Sequence, residues 1–170
     1  KIFNLCKKIR NLNFDIPIIL MGYYNVIHYF GIKNFVKKCK ENEVDGLIIV
    51  DLQPEEDDEL LQELKKNNID LIRLIAPTTN EERLKYILKS ATGFLYYVTI
   101  TGITGQNSAN INELEKTILE IKKQTSLPIV AGFGIKNNIH VNEICKIADG
   151  AVVGSSIVKI IIQGPIVWLC

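Results

Sequence analysis

Six short apolar runs, at 17–21, 46–50, 71–75, 94–98, 127–131 and 151–153, punctuate a chain whose other segments mix apolar and charged residues. The runs are rich in Ile, Val and Leu and do not alternate with polar residues. A strand with one wet face alternates; a strand buried on both faces does not, so these runs predict a parallel sheet covered by helices. Between them, apolar residues return at helical spacing over 32–43, 55–67, 81–91, 112–124, 139–147 and 156–162. Thr79 or Asn80 stands before Glu81-Glu82 as an N-cap, and Pro54 opens a first turn carrying Glu55, Glu56, Asp57 and Asp58. Acidic side chains there complement the positive end of the helix dipole. Residues 1–10 are apolar at 2, 5, 6 and 9, again at helical spacing. The chain opens inside that helix without a methionine and reads as a piece of a longer protein.

Six strands each followed by a helix predict a βα repeat with right-handed crossovers. It closes either as a doubly wound open sheet or as a β/α barrel. A full barrel needs eight strands and about 250 residues. The expected fold is therefore a parallel (β/α) barrel of TIM type, incomplete, with about six of eight βα units and the missing pair upstream. No linker or low-complexity stretch divides the chain, so residues 1–170 are expected to form a single barrel domain, truncated at the N-terminal end and at the C-terminal end.

Composition narrows the partners. Twenty basic against nineteen acidic residues leave a net +1, which gives no electrostatic case for nucleic acid or a membrane surface. Lys7-Lys8 and Lys37-Lys38 with Lys40 read as solvated helix faces. Cys6, Cys39, Cys145 and Cys170 form no CxxC pair, and the first three read as small buried hydrophobes on helix faces. His28, in a loop, and His140, on a helix, lie far apart, so no metal site is expected. The apolar run 157–162 is interrupted by Lys159 and is too short to span a bilayer. A cytoplasmic protein fits these features.

In either closure the chemistry belongs at the C-terminal ends of the strands. Those ends carry Gly22-Tyr23-Tyr24-Asn25, Asp51-Leu52-Gln53-Pro54, Ala76-Pro77-Thr78-Thr79, the stretch Thr99 to Gly105, Gly132-Phe133-Gly134-Ile135 and Gly154-Ser155-Ser156. Glycine turns that open helices bring bare backbone N–H groups to an anion, because no Cβ blocks the approach. Two of them on consecutive late strands suit a divided phosphate site. The same ends contain one carboxylate, Asp51, and neither histidine nor lysine, so phosphate capture is better provided for than proton transfer.

Six blocks occur in order: Ile18 to Asn25, Asp45 to Leu52, Ile75-Ala76-Pro77-Thr78-Thr79, Thr101-Gly102-Ile103-Thr104-Gly105, Gly132 to Ile135 and Asp149 to Val158. Together they closely resemble the tryptophan synthase alpha chain, from its second helix to its eighth strand, over roughly residues 1–162. The resemblance implies a lyase subunit that cleaves indole-3-glycerol phosphate to indole and glyceraldehyde 3-phosphate. It implies no cofactor in this chain, pyridoxal phosphate belonging to a beta-chain partner in an alpha2beta2 heterotetramer. By the same resemblance Gly105, Phe133, Gly134, Gly154 and Ser155 surround the substrate phosphate. Tyr96 faces the glycerol moiety or a catalytic carboxylate, Tyr23 sits near the indole, and Thr104 belongs to a loop that folds over the substrate. Tyr24, Asn25, Asp51, Gln53 and Pro54 lie toward the beta chain.

Structural readings stand beside these. Phe133 can be a core aromatic, Gly132 and Gly134 a tight turn, and Gly154-Ser155-Ser156 a helix cap. Asp51 can cap the acidic helix that follows it. Of Tyr96 and Tyr97, which alternate in a strand, the resemblance turns Tyr96 inward and leaves Tyr97 as packing. The family commonly has Asp-Leu-Pro-Pro-Glu-Glu where this chain has Gln53 in place of the first proline, a loss of rigidity in the partner-facing turn. Thr99 and Ile103 replace a usual Ser and Val. The tail 163–170, with Gly164-Pro165 breaking a helix, does not resemble the family's closing helices.

The family's catalytic glutamate and aspartate fall upstream of Lys1, and the acidic residues present cluster on helix starts and exposed faces. General acid–base groups contribute ~10²–10⁴-fold each, so the chain alone is expected to be nearly inactive. The alternatives are a non-catalytic fragment of the same barrel that binds phosphate or a partner, and another sugar-phosphate β/α-barrel isomerase or epimerase sharing only the late turns.

Overall fold

The computed structural model describes residues 1–12, 15–98, 108–132, 135 and 137–163. They fall into two compact units, Lys1–Leu74 with Asn80–Phe94, and Ile75–Thr79 with Leu95–Cys170. The first unit holds α1 (Ile2–Leu12), β1 (Ile19–Gly22), α2 (Tyr24–Phe30), α3 (Ile32–Glu41), β2 (Gly46–Ile49), a 3₁₀ turn (Pro54–Glu56), α4 (Asp58–Asn67), β3 (Asp70–Ile75) and α5 (Glu81–Ser90). The second holds β4 (Leu95–Val98), α6 (Ser108–Lys122), β5 (Ile129–Gly132), α7 (Asn138–Ile144), β6 (Gly150–Ala151) and α8 (Ser155–Gln163).

In each unit the strands are parallel and neighbours in chain order. β1 pairs with β2 from Ile19↔Gly46 to Gly22↔Ile49, and β2 with β3 from Gly46↔Asp70 to Ile48↔Ile72. β4 pairs with β5 from Leu95↔Ile129, and β5 with β6 from Val130↔Gly150. A doubly wound sheet reverses its strand order at a switch point; neither unit does, and this is the order of a barrel.

The lack of alternation goes with cover on both faces most clearly in β2 and β3. All four residues of β2 are buried. Leu47 and Leu71 join Leu60 and Leu64 of α4 and Val36 and Cys39 of α3 in one core, against which Phe3 and Phe35 pack. In the second unit Leu114, Ile118 and Ile121 are buried at helical spacing on α6, and Leu95, Ile129 and Ala131 are buried on the strands.

The elements depart from expectation, or decide between two expected alternatives, at four points. Residues 24–30, with His28, form a helix and not a loop. Gly31, at φ +88°, parts α2 from α3, and because α2 buries only Ile27 it shows no apolar stripe. The helix expected from 55 starts at Asp58, after the 3₁₀ turn. Asn80, not Thr79, caps α5, its side chain accepting from the Arg83 N–H at 2.8 Å. Cys145 is exposed at the end of α7, whereas Cys6 and Cys39 are buried.

Candidate functional site

The two late glycine turns belong to the second unit. Gly154 sits just ahead of α8, and its carbonyl accepts from the N–H groups of Ile157 and Val158 at 3.0 and 3.1 Å. Among the described residues, no atom beyond its chain neighbours lies within 4 Å of where a Cβ on Gly154 would stand. The Ser156 hydroxyl donates to the carbonyl of Ile135 at 2.8 Å and so ties the start of α8 to the segment that follows β5. Gly132 serves a close approach, since a Cβ there would meet Val152 Cβ at 2.6 Å and its carbonyl oxygen at 2.7 Å. Gly105, Thr104, Phe133 and Gly134 lie outside the described residues.

On β4 the two tyrosines divide as alternation requires: Tyr97 is buried and Tyr96 half-buried. Burial pushes both phenols above their usual range, and a hydrogen bond with Thr117 partly offsets this for Tyr97.

In the first unit Tyr24, Asn25 and Asp51 line one open groove of about 830 Å³ with Val26, His28 and Tyr29. Tyr29 is 95% exposed there. Asp51 does not cap the acidic helix that follows it. Its Oδ1 accepts from the Tyr24 N–H at 2.7 Å, at the start of α2, where Tyr23 offers no side-chain cap. The carboxylate thus satisfies an orphan donor and faces the positive end of that helix. Tyr23, 59% exposed, lines a separate apolar cavity of about 220 Å³ with Leu20, Met21 and Ile48.

The turn after Asp51 is held from below and from the side. Arg73 of β3 is buried; its Nη1 donates to the Leu52 carbonyl at 3.0 Å, and Nε and Nη2 donate to Ser90 Oγ at 3.2 and 2.9 Å. It also pairs with Asp57, itself 2% exposed. Asp57 stands at a helix start, as expected, as the N-cap of α4, but it is buried there. Burial pulls the Arg73 guanidinium down to about 10, so it stays charged at neutral pH. Arg83 of α5 donates to Gln53 Oε1 and pairs with Glu55. Hydrogen bonding to its own backbone N–H, then Arg83, holds the Glu55 carboxyl below the usual range. Arg73, Arg83 and Ser156 were not among the expected site residues. Arg73 was signalled by a lone charge in an apolar strand, which demands a buried partner; Ser156 stood in the Gly154-Ser155-Ser156 turn without an assigned role, and Arg83 carried no signal.

Among the described residues no three His, Cys, Asp or Glu side chains gather to hold a metal ion, and no helix is long and apolar enough to cross a membrane.

The chain-ordered parallel strands, with polar turns at their carboxyl ends, define a β/α-barrel protein of the kind that binds ligands at that face. A family profile described as tryptophan synthase alpha chain matches residues 1–165. The tryptophan synthase alpha chain of Methanocaldococcus jannaschii is 48% identical over 161 residues, which are 95% of this chain and 57% of that one. The alpha subunit of Campylobacter jejuni superposes with a TM-score of 0.87 at 41% identity, over 96% of this chain and 65% of that one. A structure of the tryptophan synthase a2b2 complex from Pyrococcus furiosus superposes with a TM-score of 0.84 at 34% identity, over 95% of this chain and 65% of that one. The chain belongs to the tryptophan synthase alpha chain family and has its TIM-type β/α-barrel fold, incomplete here; it spans a little over half the length of the curated relative it matches.

Proposed function

We propose that this chain contributes the phosphate- and partner-binding part of a tryptophan synthase alpha subunit, a lyase of tryptophan biosynthesis that splits indole-3-glycerol phosphate into indole and glyceraldehyde 3-phosphate. The observation that carries this reading is the Ser156–Ile135 hydrogen bond. It ties the start of α8 to Ile135, next in sequence to Gly134, and no described atom outside the chain neighbours stands within 4 Å of a Cβ at Gly154. Backbone donors at a helix N-terminus suit a phosphate dianion without a lysine. In this reading Gly105, Phe133, Gly134, Gly154 and Ser155 hold the phosphate, Tyr96 meets the glycerol moiety, Tyr23 meets the indole and Thr104 covers the bound substrate.

Tyr24, Asn25, Asp51, Gln53 and Pro54 face a beta chain, which carries pyridoxal phosphate and takes up the indole within an alpha2beta2 assembly in the cytoplasm. The groove shared by Tyr24, Asn25 and Asp51 supports that assignment. This chain itself needs no cofactor.

Cleavage requires protonating the indole ring to an indolenine and removing the proton of a glycerol hydroxyl. Four carboxylates at strand ends and entrances are committed elsewhere: Asp51 to a helix start, Asp57 to Arg73, Asp45 and Asp149 to strand entrances. The chain therefore binds and orients, and turns over little by itself. The competing isomerase or epimerase reading shares only the late turns and leaves the family match unexplained.

Titration with glycerol phosphate, followed by amide NMR, tests the site. The expected result is saturable shifts of the Gly134, Gly154 and Ser155 amides, removed by Gly154→Glu, while the same sample releases almost no indole from indole-3-glycerol phosphate. Unmoved amides defeat the phosphate assignment; rapid indole release defeats the division between binding and turnover.

A further inference from the structure

Gln53 adopts φ −75° and ψ 147°. That is the backbone a proline locks, and the conformation demanded of a residue that precedes one, here Pro54. A glutamine is free to leave it. Its carbonyl accepts from the Glu56 N–H at 3.0 Å, the bond that closes the 3₁₀ turn, so departure of Gln53 would open the turn. What restrains the side chain is Arg83, whose Nη2 donates to Gln53 Oε1 while Nη1 pairs with Glu55. One planar fork thus spans both sides of Pro54. The Arg83 side chain is itself one-third exposed and Glu55 half exposed, so the brace is solvent-screened and adjustable. Arg73, by contrast, grips the same segment from the buried side at Leu52 and Asp57.

We propose that Arg83 is a positioning residue for the partner-facing turn: its fork across Gln53 and Glu55 supplies the rigidity that a proline at 53 would supply. This rests on the reading that residues 51–54 face a beta chain. Arg83 acts on that partner through the turn and not by direct contact.

The test uses the 170-residue chain with the tryptophan synthase beta chain of Methanocaldococcus jannaschii as probe, comparing wild type, Arg83→Ala, Gln53→Pro and the double variant. An exposed ion pair is worth up to a factor of about five and the hydrogen bond to Gln53 adds a factor of a few, so Arg83→Ala is expected to weaken binding about three- to tenfold. It should also speed hydrogen exchange of the Glu56 amide by a similar factor. Gln53→Pro should restore both in the Arg83→Ala background and change little alone. A role of Arg83 confined to α5 predicts no rescue by proline, and absence of rescue overturns the proposal. Equal binding and equal Glu56 exchange in wild type and Arg83→Ala overturn it too, leaving the docking reading intact. A wild-type chain that does not bind the beta chain overturns the docking reading and the proposal with it.

Discussion

Arg73 stands alone as a charge in the run Leu71-Ile72-Arg73-Leu74-Ile75, and the fold spends three elements satisfying it: the β2 turn through Leu52, the start of α4 through Asp57 and the end of α5 through Ser90. A buried ion pair gains little over a hydrophobic pair, because desolvation offsets attraction, but breaking it strands a charge. Asp57→Ala is therefore expected to destabilise the chain by about 3–5 kcal/mol. The double change Asp57→Leu with Arg73→Met should recover most of that loss, as urea denaturation would measure. A double variant as unstable as Asp57→Ala alone would place the effect in the start of α4 and not in the pair. The charge of Arg73 was legible in the sequence; its partner was not. Asp57 sits among Glu55, Glu56 and Asp58, where an acidic run reads as a helix start, and only the tertiary pairing pulls one of the four inside and delays α4 to Asp58.

At the scale of elements, the apolar runs marked the strands, most plainly β2 and β3, which are the best covered; β1 leaves Met21 exposed. α2 was not legible: its helix start is held by Asp51, from the turn after β2, and its exposed Val26, Tyr29 and Phe30 carry no inward stripe. A second device repeats in both units. Asp45, at the entrance of β2, accepts from the Ile18 N–H at 2.6 Å and pairs with Arg10 at 2.7 Å. Asp149, at the entrance of β6, accepts from the Ile129 N–H at 2.8 Å and pairs with Lys122 at 2.9 Å. Each aspartate N–H also donates back to the same isoleucine carbonyl, at 2.9 and 2.8 Å. The paired Asp-Gly dipeptides show this repeat in the sequence, but their partners lie on other elements. The Ile129 N–H, then Lys122, hold the Asp149 carboxyl below its usual range. The folded state thus prefers the ionised form, so the contribution is complete above the unfolded value of about 3.9 and fades as pH falls through the lower folded value. Thermal melts of wild type should steepen in their loss of stability below about pH 4. Asp149→Asn keeps an acceptor and should flatten that segment, whereas Asp149→Ala strands the Ile129 N–H at a cost of about 1–3 kcal/mol at neutral pH. Parallel pH profiles for wild type and Asp149→Asn would remove this carboxylate from the account.

Over the described residues, the strand ends sort into polar turns and most helices cover an apolar face, but α8 and α1, besides α2, leave apolar residues exposed. α8 exposes Ile157, Val158, Ile160, Ile161 and Ile162, the last at 78%, and α1 exposes Ile2, Leu5 and Leu12. The apolar period marked both as helices, but periodicity reports only that a face wants cover, not whether the chain supplies it. Exposed apolar helix faces of this kind drive association, and a net charge of +1 provides little repulsion against it. The 170-residue chain should accordingly self-associate, its sedimentation coefficient rising with protein concentration. Replacing Ile161 and Ile162 together by glutamate adds two charges to the most exposed part of α8 without touching Gly154, Ser155 or Ser156. That variant should sediment more nearly as a monomer while still shifting the Gly154 amide on titration with glycerol phosphate. Wild-type sedimentation independent of concentration would mean that the exposed isoleucines are too dispersed to hold two copies together. Loss of the amide shift along with association would place α8 in the phosphate cradle beyond its first turn.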